Sequence, residues 1–169
     1  MVRKSLKSVV DTPHRISVAW PAFVERLAGV LGALEEDQYL VISVKRTNRF
    51  VQFAAQGAFG MRAETTSNDY LTGSERLSAR QVLALRAAGW HGQTGSPDES
   101  TPEKDPDGSP NFFVEFASPV PFMDVAQLTV QTVAEILGVP HPGFLEYDAF
   151  DADGHAILLP SLGMKRVAR

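Results

Sequence analysis

Arg49–Asn68 reads RFVQFAAQGAFGMRAETTSN, and its alternation decides what the rest of the chain must do. Val51, Phe53 and Ala55 recur at period two on one face, while Phe50, Gln52 and Ala54 fall on the other. Beyond Gln56-Gly57-Ala58-Phe59-Gly60, Met61 and Ala63 oppose Arg62 and Glu64 in the same rhythm. Two such runs around a glycine-containing loop predict an antiparallel hairpin. One face has the composition of a core. The other holds an aromatic ring, an amide and opposite charges, which is more than solvation requires.

Working outward, QYLVISVK at Gln38–Lys45 predicts a preceding strand, with Leu40, Ile42 and Val44 on one side and Tyr39, Val41 and Ser43 on the other. NFFVEF at Asn111–Phe116 predicts a fourth, dividing Phe112, Val114 and Phe116 from Phe113 and Glu115. HAILLP at 155–160 suggests a fifth strand. In HPGFLEYDAF at 141–150, Phe144, Leu145, Tyr147 and Phe150 are expected to clamp the last helix.

Ahead of the strands, Trp20, Phe23, Val24, Leu27, Val30, Leu31 and Leu34 repeat at three and four residues, the stripe of an amphipathic helix with Pro21 in its first turn. Gly29 and Gly32 cost such a helix about 1 kcal/mol each against alanine and suggest that another element approaches closely. Ser78 and Gln81 form a capping-box pattern with Leu77 and Val82 at the staple positions, and Gly89 terminates that helix. Asp124 and Gln127, flanked by Met123 and Leu128, repeat the pattern. Leu128, Thr132, Val133, Ile136 and Leu137 then form the stripe, and Gly138 the stop.

These readings give a single α+β domain with one antiparallel sheet of four to five strands. Helices Pro21–Leu34 and Val125–Leu137 should pack on its core face, because their stripes need an apolar partner. Residues 1–16 read as an N-terminal arm, 17–150 as the domain and 151–169 as a C-terminal extension. His91–Pro110, with its prolines, glycines and charges, reads as a flexible loop within that domain.

Composition narrows the function. At 169 residues and 44% apolar, the chain can bury one core. A net charge of -4 and a pI near 5.5 argue against a nucleic-acid partner. The absence of cysteine removes disulfides, thiolate metal sites and cysteine nucleophiles. No signal peptide or membrane-length apolar run is seen, so the expectation is a soluble cytoplasmic protein without a membrane partner.

Catalytic and metal motifs fare poorly. Asp105-Pro106-Asp107-Gly108 and Asp151-Ala152-Asp153-Gly154 resemble calcium turns. The closing EF-hand glutamate position holds Val114 in one and Pro160 in the other, which leaves ordinary turn chemistry. His14, His91, His141 and His155 lack metal-ligand spacing. There is no G-x-S-x-G elbow, dinucleotide fingerprint or phosphate loop, so neither a cofactor nor a catalytic residue is expected. Glu64 and Glu115 could in principle be paired carboxylates serving as a general base, against the plainer reading of a cross-strand salt bridge of one of them to Arg62 or to a loop cation.

The ordered series RFVQF, MRAE, SNDYL, LSARQVLALRAAGW, NFFVEF and VAEILGVPHPGFLEY, behind a Trp-led helix, resembles the actinobacterial TY-Chap group. That group is classed with type III secretion chaperones and YbjN-like proteins. The resemblance spans roughly residues 17–150. It implies an α-β-β-β-α-β-β-α fold, a curved antiparallel sheet backed by helices, and binding of peptide segments of partner proteins without catalysis. On that reading the binding face carries Phe50, Gln52, Arg62, Glu64, Phe113 and Glu115. Its partner is a client protein or peptide segment, and a homodimer is a further expectation. The rivals are a small-molecule enzyme using Glu64 or Glu115, and a structural subunit whose sheet face is a permanent interface.

Overall fold

The structure, a computed structural model, describes residues 17–95, 103 and 108–167. The predicted arm at 1–16 and the middle of the predicted loop lie outside the described residues.

Among the described residues, three α-helices and six strands follow one another as α1 (Ala19–Ala33), β1 (Gln38–Val44), β2 (Phe50–Ala55), β3 (Met61–Thr65), α2 (Ala79–Ala88), β4 (Phe112–Phe116), α3 (Phe122–Val130), β5 (Leu145–Asp151) and β6 (Lys165–Arg166). The strands form one sheet in the order β4-β3-β2-β1-β5-β6. All pairs are antiparallel except β5 with β6.

The predicted hairpin is present, with Phe53 opposite Ala63 and Gln52 opposite Glu64. Gln56 N–H reaches Gly60 O at 2.9 Å to close its turn. Gly60 has φ +108°, and a Cβ there would lie 1.9 Å from the carbonyl oxygen of Phe116. The turn thus touches the end of β4, so only glycine fits.

Alternation places Leu40, Ile42, Val51, Phe53, Met61, Ala63, Phe112, Leu145, Tyr147 and Ala149 in one buried cluster with Trp20, Phe23, Leu27, Val30 and Leu31 of α1. Val125, Ala126 and Val133 complete it from α3 and its extension. Helix α1 therefore buries the predicted stripe. Gly32 supports part of the close-approach reading: a Cβ there would sit 3.4 Å from the Phe122 ring, whereas Gly29 has no such neighbour.

Helix α2 has the predicted capping box. Gln81 N–H donates to Ser78 Oγ at 3.1 Å, Ser78 N–H donates to Gln81 Oε1 at 2.9 Å, and Gly89 ends the helix in the left-handed region.

The second capping box does not form. Helix α3 starts two residues before Asp124, with Pro121 at its N-cap and no side-chain cap, so Asp124 lies inside the first turn. The helix continues as a π-helical segment, Gln131–Ile136. Thr132 is buried, as its place in the predicted stripe requires, and its Oγ1 accepts the Trp90 indole N–H at 2.9 Å.

The fifth strand is also placed differently. Leu145–Asp151 is a full strand beside β1, its Leu145, Tyr147 and Ala149 facing the core, rather than a clamp on the last helix. Phe144, expected in that clamp, is exposed. The 155–160 segment forms no strand of its own but lies against β5 through a bridge of Ala156 to Phe150, bonds from Asp151 N–H to His155 O and from Ile157 N–H to Ala149 O, and a bond from Leu159 N–H to the Tyr147 hydroxyl. Pro160 cannot donate to a ladder, and the chain turns there instead. The helix α3 before β5, and the short β6 after it, also differ from the implied α-β-β-β-α-β-β-α order.

Gly60→Ala should destabilise the fold by about 3 kcal/mol or more, from the clash and the positive φ together. In thermal melting that corresponds to a fall of roughly 6–12 °C for a chain of this size.

Candidate functional site

The helices cover one face of the sheet. Tyr39, Val41, Ser43, Phe50, Gln52, Ala54, Arg62, Glu64, Phe113, Glu146, Asp148 and Phe150 line the other, each half-buried, and Glu115 is exposed. The core-face positions of the same central strands are nearly all buried.

Strand register brings five of the six predicted residues into one network. Gln52 is opposite Glu64, Glu64 opposite Phe113, and Arg62 opposite Glu115. Gln52 Nε2 donates to Glu64 Oε2 at 2.6 Å. Arg62 lies 3.6 Å from Glu64 and is paired with Glu115. Its guanidinium carbon stands 4.6 Å from the Phe113 ring centroid, a cation–π geometry, and its Nη2 donates to Gly108 O at 3.1 Å. The His91 ring also lies against Phe113, with ring centroids 5.4 Å apart.

Ser109 is a member that periodicity could not reveal. It is 1% exposed and its hydroxyl donates to Glu64 Oε1. A loop position just before β4 reaches Glu64 only through the fold. The base of the loop holds it there: His91 and Phe113 exchange backbone bonds, and Ser109 N–H donates to Thr94 Oγ1 at 2.7 Å.

Phe50 stands apart from this network. It lines a groove of about 540 Å³ with Ser43, Thr47, Asn48, Arg49, Gln52, Tyr70 and Asn111. A second cavity of about 150 Å³ is lined by Tyr39, Val41, Gln52, Phe53, Ala54, Arg62, Glu64 and Phe150. Gln52 borders both. The Tyr39 and Phe150 rings stack at 5.4 Å. Phe150 was expected in a clamp on the last helix, whereas the alternation of β5 turns it away from Leu145, Tyr147 and Ala149 onto the open face.

The acidic turn at 151–154 is built as turn chemistry. Asp151 Oδ1 accepts N–H bonds from Asp153 at 3.0 Å and His155 at 2.9 Å, and Oδ2 contacts His155 Nδ1 at 3.1 Å. The backbone N–H of His155 is the main reason the Asp151 carboxyl lies below its ordinary range. These bonds use the oxygens that a cation would need.

Glu64→Ala should lower stability by about 1–3 kcal/mol, because it strands the Gln52 amide, the Ser109 hydroxyl and one side of Arg62 in a half-buried site. Glu115→Ala should cost under about 1 kcal/mol, since its side chain is 50% exposed. Urea unfolding of the two variants tests that ordering.

No curated protein and no solved structure matches this chain. A family model does, across residues 13–151, and its description is T3SS (YopN, CesT) and YbjN peptide-binding chaperone 3. On that match, the chain belongs to the TY-Chap3 family of peptide-binding chaperone domains.

Proposed function

We propose that the open sheet face is the surface on which this domain captures a segment of a client protein, and that it does so without catalysis. The observation carrying this reading is that two adjoining cavities on the face, one groove-like and one small, share Gln52. A client running across the strands would set one apolar side chain into the small cavity between Tyr39, Val41 and Phe150. Its next residues would then lie along the groove beside Phe50. Gln52, Arg62 and Glu64 supply donors and acceptors between the two anchors, while the rings supply apolar area.

A general base at Glu64 or Glu115 is the weaker reading. Both oxygens of Glu64 are already engaged, by Gln52, Ser109 and Arg62. Glu115 is half exposed, paired with Arg62, and lines neither cavity. A client-binding module without a membrane-crossing helix suits the cytoplasm; among the described residues no helix is long and apolar enough to span a bilayer.

The test is a double substitution. Peptides selected from a random phage-displayed library against the full chain provide ligands whose affinity is read by fluorescence anisotropy. Phe50→Ala with Phe150→Ala should weaken them on the order of a hundredfold, the usual scale for two aromatic anchors. The melting temperature should change little, because neither ring belongs to the buried cluster. Retained affinity would place the client elsewhere.

A further inference from the structure

The strongest unassigned feature lies on the opposite side of the sheet from the network around Glu64. A cavity of about 310 Å³ opens between the first half of α1, the end of β1, the approach to β5 and the segment before β6. That volume is within the ordinary range of small-molecule sites. Phe23, Leu145, Leu162 and Met164 supply its apolar lining, and Arg26, Lys45, Lys165 and His141 its polar one.

The charge pattern there is one-sided. No Asp or Glu lines the cavity, although the chain has 20 acidic against 16 basic residues. Among the described residues, Arg26, Lys45 and Lys165 form no ion pair. Arg26 and Lys45 donate instead to neutral carbonyls, Leu162 O at 3.2 Å and Gly143 O at 2.9 Å. Each keeps further N–H donors beyond that one bond. His141 Nδ1 accepts the Gly143 N–H at 2.8 Å, so the neutral ring carries its proton on Nε2 as another donor. Helix α1 contributes Ala19 from its first turn, which contains no acidic residue to offset the positive end of the helix.

Like charges gathered around a concave surface repel one another unless an anion joins them, and a concave wall focuses their field. The apolar lining adds a preference for a ligand with a non-polar part. We infer that this cavity binds a small organic anion, a phosphate or carboxylate group on an apolar body, independently of client capture on the open face.

Titration calorimetry of the full chain with phenyl phosphate tests this, with inorganic phosphate and benzyl alcohol as partial probes. Phenyl phosphate should bind one to one. Inorganic phosphate should bind at least about tenfold more weakly and benzyl alcohol not measurably, because each lacks one half of the recognition. Lys165→Gln should weaken phenyl phosphate about tenfold, as loss of a charge-assisted contact does. The Lys165 side chain is exposed, so that variant should melt as the parent does. Arg26→Gln should weaken binding similarly, while Phe50→Ala with Phe150→Ala should leave it unchanged. The inference is overturned if phenyl phosphate shows no saturable binding, if inorganic phosphate binds equally well, or if Lys165→Gln has no effect.

Discussion

The register of β2 against β3, Phe53 opposite Ala63, is the constraint on which the rest of the molecule depends. Side chains alternate strictly along a strand, so a slip of one residue would exchange the two faces. Arg62 and Glu64 would then point into a cluster built from Leu, Ile, Phe and Met, where each charge would lose its hydration without a partner. The turn at Gly60 stops that slip, because its backbone lies against the Phe116 carbonyl and admits no side chain. With the register set, β4 can join only where Phe113 meets Glu64 and Glu115 meets Arg62. Core formation and the polar network on the far face are thus two results of one pairing.

That dependence explains what could be seen in the sequence. The hairpin, β1, β4, the α1 stripe and the α2 capping box are all local patterns, in which a residue's role follows from neighbours two to four positions away. The α+β class, with helices on one face of a mainly antiparallel sheet, followed from them. Strand β5 was missed although Leu145, Tyr147 and Ala149 alternate properly, because Asp148 and Asp151 weaken its strand propensity. What makes it a strand is burial beside β1, some hundred residues away in sequence. Asp124 failed as a cap because the helix begins at Phe122, where its first residues can pack against α1 at Gly32.

The candidate face divides along the same line. Phe50, Gln52, Arg62, Glu64, Phe113 and Glu115 could be placed on one face from alternation alone, and register makes neighbours of all of them but Phe50. Ser109, His91 and Tyr70 could not. They reach the face from connections whose paths are set by tertiary bonds, such as Ser67 Oγ to Pro110 O at 2.7 Å and Leu77 N–H to Asn68 Oδ1 at 2.7 Å. The cation-lined cavity was equally hidden. Its Arg26, Lys45, His141 and Lys165 come from four separate stretches, and only the fold collects them.

An open sheet face with aromatic rings would ordinarily invite aggregation, by stacking or by pairing at its edges. Each route is restrained. Arg62, Glu64, Glu115, Glu146 and Asp148 scatter charge between the rings, so no purely apolar patch extends across the strands. On the outer side of β4, His91 exchanges backbone bonds with Phe113. On the outer side of β5, Asp151 N–H bonds His155 O and Val167 N–H bonds Tyr147 O, with β6 alongside. The face can therefore remain half-exposed in the folded domain. Its polar groups are already oriented by one another, as Gln52 is by Glu64. A client captured on this face, as proposed, would meet a surface that needs little ordering on contact, which is the condition under which modest apolar anchors yield useful affinity.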